Sequence, residues 1–209
     1  AGMAFLIIYT YSMLGGVARA NEALAALPSM PGVAEQTAGL VKGGFAGWTS
    51  MPETGSLVWW NIVTTLVAGV GIGALAQPQL SVKFLTVKSD RDLNRAVLSG
   101  GIFILFMTGV AFTVGALSNV AFYNATGKIA INAAGSNDGI IPVYIKEFLP
   151  EWFGGIFLII LIAAAVSTLN ALVHTMGTAL GRDFLKQSLK LKTDTMTLTR
   201  LSMLAGLLL

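Results

Sequence analysis

At 209 residues, 55% apolar, 11% charged and with a formal net charge of +3, the chain is too apolar for a soluble core of its size and too weakly basic for a nucleic-acid binder. An ordinary soluble chain is about 25% charged, so lipid is the expected solvent. No cysteine and one histidine remove disulfides, thiolate metal sites, cysteine nucleophiles and histidine-rich metal centres.

A helix crosses about 30 Å of hydrocarbon with roughly 20 apolar residues, and the apolar runs predict an all-α, polytopic membrane helix bundle. In chain order the expected spans are Ala1 to Val17, Leu57 to Ala76, Ala96 to Val120 and Phe153 to Leu180. A fifth run, Leu201 to Leu209, is cut short. Apart from Arg95 at the edge of the third, no span carries a charge. The runs do not alternate in polarity, which argues against a β-barrel. The opening run has neither a basic flank nor a small-residue cleavage site, which counts against a signal peptide. A chain that begins and ends in apolar runs is expected to be an internal piece of a longer protein, a partial transmembrane domain over residues 1–209.

Placement of Lys and Arg orients the bundle. The connection Ser81 to Arg95 carries Lys83, Lys88, Arg91 and Arg95. The segment after the fourth span carries Arg182, Lys186, Lys190, Lys192 and Arg200. The other connections, Arg19 to Ser56 and Ala121 to Glu151, hold only Arg19, Lys42, Lys128 and Lys146. Nine basic residues against four put the first pair of segments in the cytoplasm, and the second span then runs inward. Trp59, Trp60 and Trp152 fall at outer starts of spans two and four, where interfacial aromatics belong. The outer connections predict short helices at Asn21 to Leu27 and Ile140 to Leu149, bounded by prolines. Asp138 is expected to shape an outer turn.

Two stretches carry candidate chemistry. In span two, Gly69, Gly71 and Gly73 alternate near the middle and Gln77-Pro78 follows. Each glycine costs a helix up to about 1 kcal/mol and an internal proline about 3. The pattern predicts a helix broken between Gly69 and Gln77, its free backbone groups lining a mid-membrane cavity; a flexible, kinked span with a small-residue packing surface is the alternative. In span four, Ser167, Ala171, Thr175 and Thr178 recur on one face behind Ala163-Ala164-Ala165-Val166. A small, hydroxylated stripe serves close helix packing, or else supplies an alkali-cation site. Hard oxygens from the Ser167 and Thr168 hydroxyls and the Ala164 carbonyl would form one side of such a shell without a fixed charge in lipid. His174 in the same span reads as a packing residue or a proton relay.

At these stretches the chain resembles the sodium:solute symporter family, which includes sodium-coupled proline, pantothenate, acetate and sugar transporters. Gly71-Ile72-Gly73-Ala74-Leu75-Ala76-Gln77-Pro78, continuing to Phe84, resembles the family's glycine-rich span ending in Gln-Pro-His and a basic-aromatic step. Ala163-Ala164-Ala165-Val166-Ser167-Thr168, closing with Gly181-Arg182-Asp183, resembles its Ala-Ala-x-x-Ser-Thr helix and following Asp. The loop Asn137 to Pro142 and Leu149-Pro150 are similar to the outer loop before that helix. The resemblance implies a five-plus-five inverted-repeat (LeuT-like) fold, with spans one to five as the last helix of the first repeat and four helices of the second. It implies sodium at Ala164, Ser167 and Thr168, and substrate lining by Gly71, Gly73, Ala74 and Gln77. Gln79 stands where many relatives have His, and the first-repeat helix that completes the sodium shell is not part of these residues.

The expected function is therefore inward, sodium-coupled symport of a small organic solute such as proline, a carboxylate or pantothenate across the cell membrane. No acid–base pair lies within a span, so an enzyme is not expected. The partners implied are sodium, the solute, the bilayer and the remaining helices of the same full-length chain, with no nucleic acid. The competing reading is a transporter-like sensor that binds solute and signals through an attached domain outside this fragment.

Overall fold

A computed structural model describes the backbone of residues 2–189 and 193–208, and their side chains except at positions 74, 75, 79, 82–84, 207 and 208. Among the described residues every regular element is a helix. In chain order these are α1 (Gly2–Met13), α2 (Val17–Ala26), α3 (Val33–Lys42) and the composite α4. Helix α4 is α-helical over Leu57–Trp60, π-helical over Asn61–Val70 and α-helical again over Gly71–Leu75. Then come α5 (Pro78–Leu85), α6 (Asp90–Thr126), α7 (Ala130–Ala134), α8 (Ile140–Phe148), α9 (Glu151–Ser188) and α10 (Thr195–Leu208).

Helices α6 and α9, of 37 and 38 residues, are long and apolar enough to cross a membrane, and their apolar stretches are almost wholly exposed. That exposure suits a segment whose solvent is lipid, because a helix satisfies its own backbone. Both outrun the expected spans. Ser89 caps α6 by accepting from the Asp92 N–H at 3.2 Å while its hydroxyl donates to the Asp92 carboxylate at 2.8 Å. Asp90 and Asp92 in the first turn suit the helix dipole, so the charged connection is absorbed into the helix. The far end stops at Gly127, whose φ of 70° places it in the left-handed region and whose N–H bonds the Tyr123 carbonyl.

The expected first span is not one helix. Chain from Gly2–Met13 to Val17–Ser29 bends by 74°. The cause is a helix stop at Gly15 and Gly16, with φ of 86° and 100°. The Gly16 N–H reaches the Tyr11 carbonyl at 2.7 Å and the Gly15 N–H the Ser12 carbonyl at 3.2 Å, the paired bonds of a Schellman ending.

By compactness the chain divides into two units, Ala1–Gly73 with Lys88–Phe157, and Ala74–Val87 with Leu158–Leu209. In the first, the C-terminal half of α6 is the hub. Val114, Ala121 and Phe122 pack with Leu6, Tyr144, Ile145 and Phe153. Leu117 and Val120 pack with Ala20, Leu24, Leu27 and Val33. Polar side chains tie this cap. The Asn119 amide accepts from the Ala130 N–H at 3.1 Å and donates to the Gly115 and Ala116 carbonyls. The Gln36 amide accepts from the Ile129 N–H and Asn132 and donates to the Gly32 and Gly127 carbonyls. The second unit is built on α10 lying along the π-helical end of α9, Ala179–Ser188.

Candidate functional site

The glycine-rich stretch corrects one expectation. Gly71, Gly73 and the residues between them are helical, and the Gly71 N–H bonds back to the Ala68 and Val67 carbonyls. The break sits at the far end of the expected interval, at Ala76-Gln77. Proline has no N–H to give and its fixed φ suits a first helical position, so Pro78 starts α5 rather than kinking α4. The Gln77 carbonyl receives the new helix's first bonds, from the Leu80 and Ser81 N–H groups at 3.0 Å and the Ser81 hydroxyl at 3.2 Å. The glycines mark where wide π turns tighten to α turns. Gly71 and Gly73 are exposed, and a Cβ at either position would meet nothing within 4 Å. The side chain of Ala74 lies outside the described residues, as do those of Gln79, Lys83, Lys190 and Lys192.

Helix α9 is a regular α-helix through Ala164, Ser167 and Thr168. The Thr168 hydroxyl donates to the Ala164 carbonyl at 3.0 Å. That bond fixes the hydroxyl proton toward the helix and leaves the oxygen's lone pairs directed away from it. Ser167 and Thr168 are both exposed, and among the described residues the Ser167 hydroxyl has no hydrogen-bond partner. The three residues expected at the sodium site thus lie on one helix, with the Ala164 carbonyl engaged by the Thr168 hydroxyl. Among the described residues no cluster of three His, Cys, Asp or Glu side chains exists, so this donor set is neutral oxygen, which fits a hard monovalent cation.

Farther along, Thr175 donates to the Ala171 carbonyl at 2.9 Å and Thr178 to the His174 carbonyl at 2.8 Å. The Thr178 hydroxyl also stands 3.4 Å from His174 Nδ1. These back-bonds are those of a hydroxylated packing stripe, and His174 remains exposed.

A packing feature in the second unit was not anticipated from the sequence. Gly177 and Gly181 are both buried. A Cβ on Gly181 would lie 2.6 Å from the Thr199 Cα and 2.8 Å from the Leu198 carbonyl carbon, and one on Gly177 would collide with Met203. Gly206 in turn faces the Met176 side chain. The signal was present as Gly177-x-x-x-Gly181, small residues one turn apart that let helix backbones approach closely.

Two long, apolar, exposed helices of spanning length define a helical membrane protein. The sodium:solute symporter family matches residues 1–209. The chain belongs to that family, whose members couple solute transport to sodium. No curated protein and no solved structure matches it.

Proposed function

We propose that this chain is part of a multi-pass cell-membrane symporter that carries a small organic solute inward with sodium, and that Ala164, Ser167 and Thr168 supply one side of the sodium shell. The observation that supports the site is the Thr168-to-Ala164 hydrogen bond beside the Ser167 hydroxyl, which has no partner among the described residues. The Thr168 proton is directed to the helix, and the Ala164 carbonyl joins the shell where that bond and the local helix bond loosen. The remaining ligands come from other helices of the full-length protein, within a five-plus-five inverted repeat.

Substrate lining is assigned to Gly71, Gly73, Ala74 and Gln77. Gly71 and Gly73 leave open space where a side chain would stand, and the helix breaks at Ala76-Gln77 just beyond them. Proline, a carboxylate or pantothenate is the preferred cargo class. Each sodium charge moving inward gains about 2.3 kcal/mol per 100 mV of potential, and linkage between the two sites passes that driving force to the solute. Uptake of labelled proline, acetate and pantothenate into proteoliposomes holding the full-length protein tests the reading. Uptake of at least one solute should require an inward sodium gradient; a protein that takes up these solutes with none of them requiring sodium, or that takes up none of them, would overturn it.

A further inference from the structure

We propose that the crossing of α9 and α10 holds the phosphate headgroup of an anionic phospholipid between Arg182 and Arg200. The contacts Met176 with Gly206, Gly177 with Met203 and Gly181 with Thr199 run in opposite senses along the two helices, so the pair is antiparallel. In an antiparallel pair of right-handed helices, one step onward from two facing positions turns both residues toward the same flank. Arg182 follows Gly181 and Arg200 follows Thr199. Because the glycine brings the Thr199 backbone within 2.6 Å of where a Cβ would stand, the two arginines flank one seam at the closest approach of the helices.

Both arginines are exposed, and among the described residues neither has an ion pair. The nearby carboxylates are otherwise placed. Asp194 caps α10 by accepting from the Met196 and Thr197 N–H groups at 3.0 and 3.3 Å. Asp183 is a further step round α9, turned away from the seam. Two guanidinium groups on one flank repel each other unless an anion lies between them, and their planar forks match phosphate oxygens. Lys186 follows one turn beyond Arg182. Around the seam Leu180, Phe184, Leu201 and Leu204 are exposed, a surface for acyl chains that a free phosphate would leave uncovered. The occupant is thus an amphiphile with an anionic head.

Native mass spectrometry of the purified full-length protein, titrated with phosphatidylglycerol in detergent, tests this. Phosphatidylglycerol should remain bound where phosphatidylcholine does not. R182Q/R200Q should weaken it about twentyfold or more, since each cation near an anionic surface contributes about fivefold. An R91Q/R95Q control loses the same charge elsewhere and should retain the lipid. Equal retention by R182Q/R200Q would overturn the site, and so would displacement of the lipid by equimolar inorganic phosphate. Should the double variant not fold, R200K keeps the charge but loses the fork and should bind several-fold more weakly; unchanged binding by R200K would equally overturn it.

Discussion

The Thr10 hydroxyl donates to the Leu6 carbonyl at 2.7 Å, so the proton in its 2.9 Å contact with Tyr144 comes from the phenol. Tyr144→Phe removes that donor from a buried pair and should lower the stability of the folded protein by about 1 kcal/mol, read as a drop in thermal midpoint. Burial holds the Tyr144 phenol above its ordinary pKa of 10.0. A raised folded pKa means that the stability contributed is present below pH 10 and is lost as the pH climbs above it. The wild-type midpoint should therefore fall more steeply above pH 10 than that of Tyr144→Phe. At Gly71, where a side chain would meet nothing within 4 Å, Gly71→Val should leave membrane insertion and midpoint nearly unchanged, since valine inserts readily. Solute uptake should fall severalfold if the position lines a cavity; unchanged uptake would remove it from the substrate path. The hydroxyls of Ser167 and Thr168 were legible in the sequence because residue types at helical spacing are enough to find them. The direction of the Thr168 proton and the partnering of Thr10 with Tyr144 were not, because each depends on which carbonyl or phenol the fold brings within 3 Å.

At the scale of elements, apolar runs marked the long helices α6 and α9, while their ends and internal hydrogen-bond register escaped. Ser89 with Asp92 is a readable cap, yet the charges at Asp90, Arg91 and Asp92 made that stretch look like a connection rather than a helix start. Gly15-Gly16 carried a stop signal that the apolar run around it hid. The alternating glycines of α4 suggested a break; the break fell just beyond them at Ala76-Gln77, before Pro78, because glycine only weakens a helix while proline removes a donor. Nothing in the composition of Asn61–Val70 or Ala179–Ser188 distinguishes i→i+5 bonding from i→i+4 bonding. The glycine seam of the second unit gives a direct test. Gly181→Val forces a side chain against the α10 backbone, where relief requires the helices to separate. It should cost about 1–3 kcal/mol, seen as a lowered thermal midpoint of the purified protein, whereas Gly71→Val should cost little. A Gly181→Val midpoint equal to wild type would show that the helices are not in this contact.

For the molecule as a whole, the basic asymmetry sets the expected orientation, with Lys88 and Lys186 in the cytoplasm and Lys42 and Lys128 outside. The sequence contains no cysteine, so single cysteines at these positions, in a cysteine-free full-length background, can be labelled from outside with an impermeant reagent. Positions 42 and 128 should label in intact cells and 88 and 186 only after permeabilisation; strong labelling at 186 in intact cells would reverse the orientation. Family membership supplies sodium coupling as a class property, and the proposal for this chain is where the ion sits. Ser167→Ala with Thr168→Ala removes two hydroxyl ligands while leaving helix and volume almost unchanged. The most direct measurement is sodium-dependent solute uptake by this double variant of the reconstituted full-length protein. The half-saturating sodium concentration should rise at least about tenfold, a loss of about 1.4 kcal/mol in ion binding, and uptake at low sodium should fall with it. A sodium dependence identical to that of the wild type would contradict the site and return these hydroxyls to helix packing.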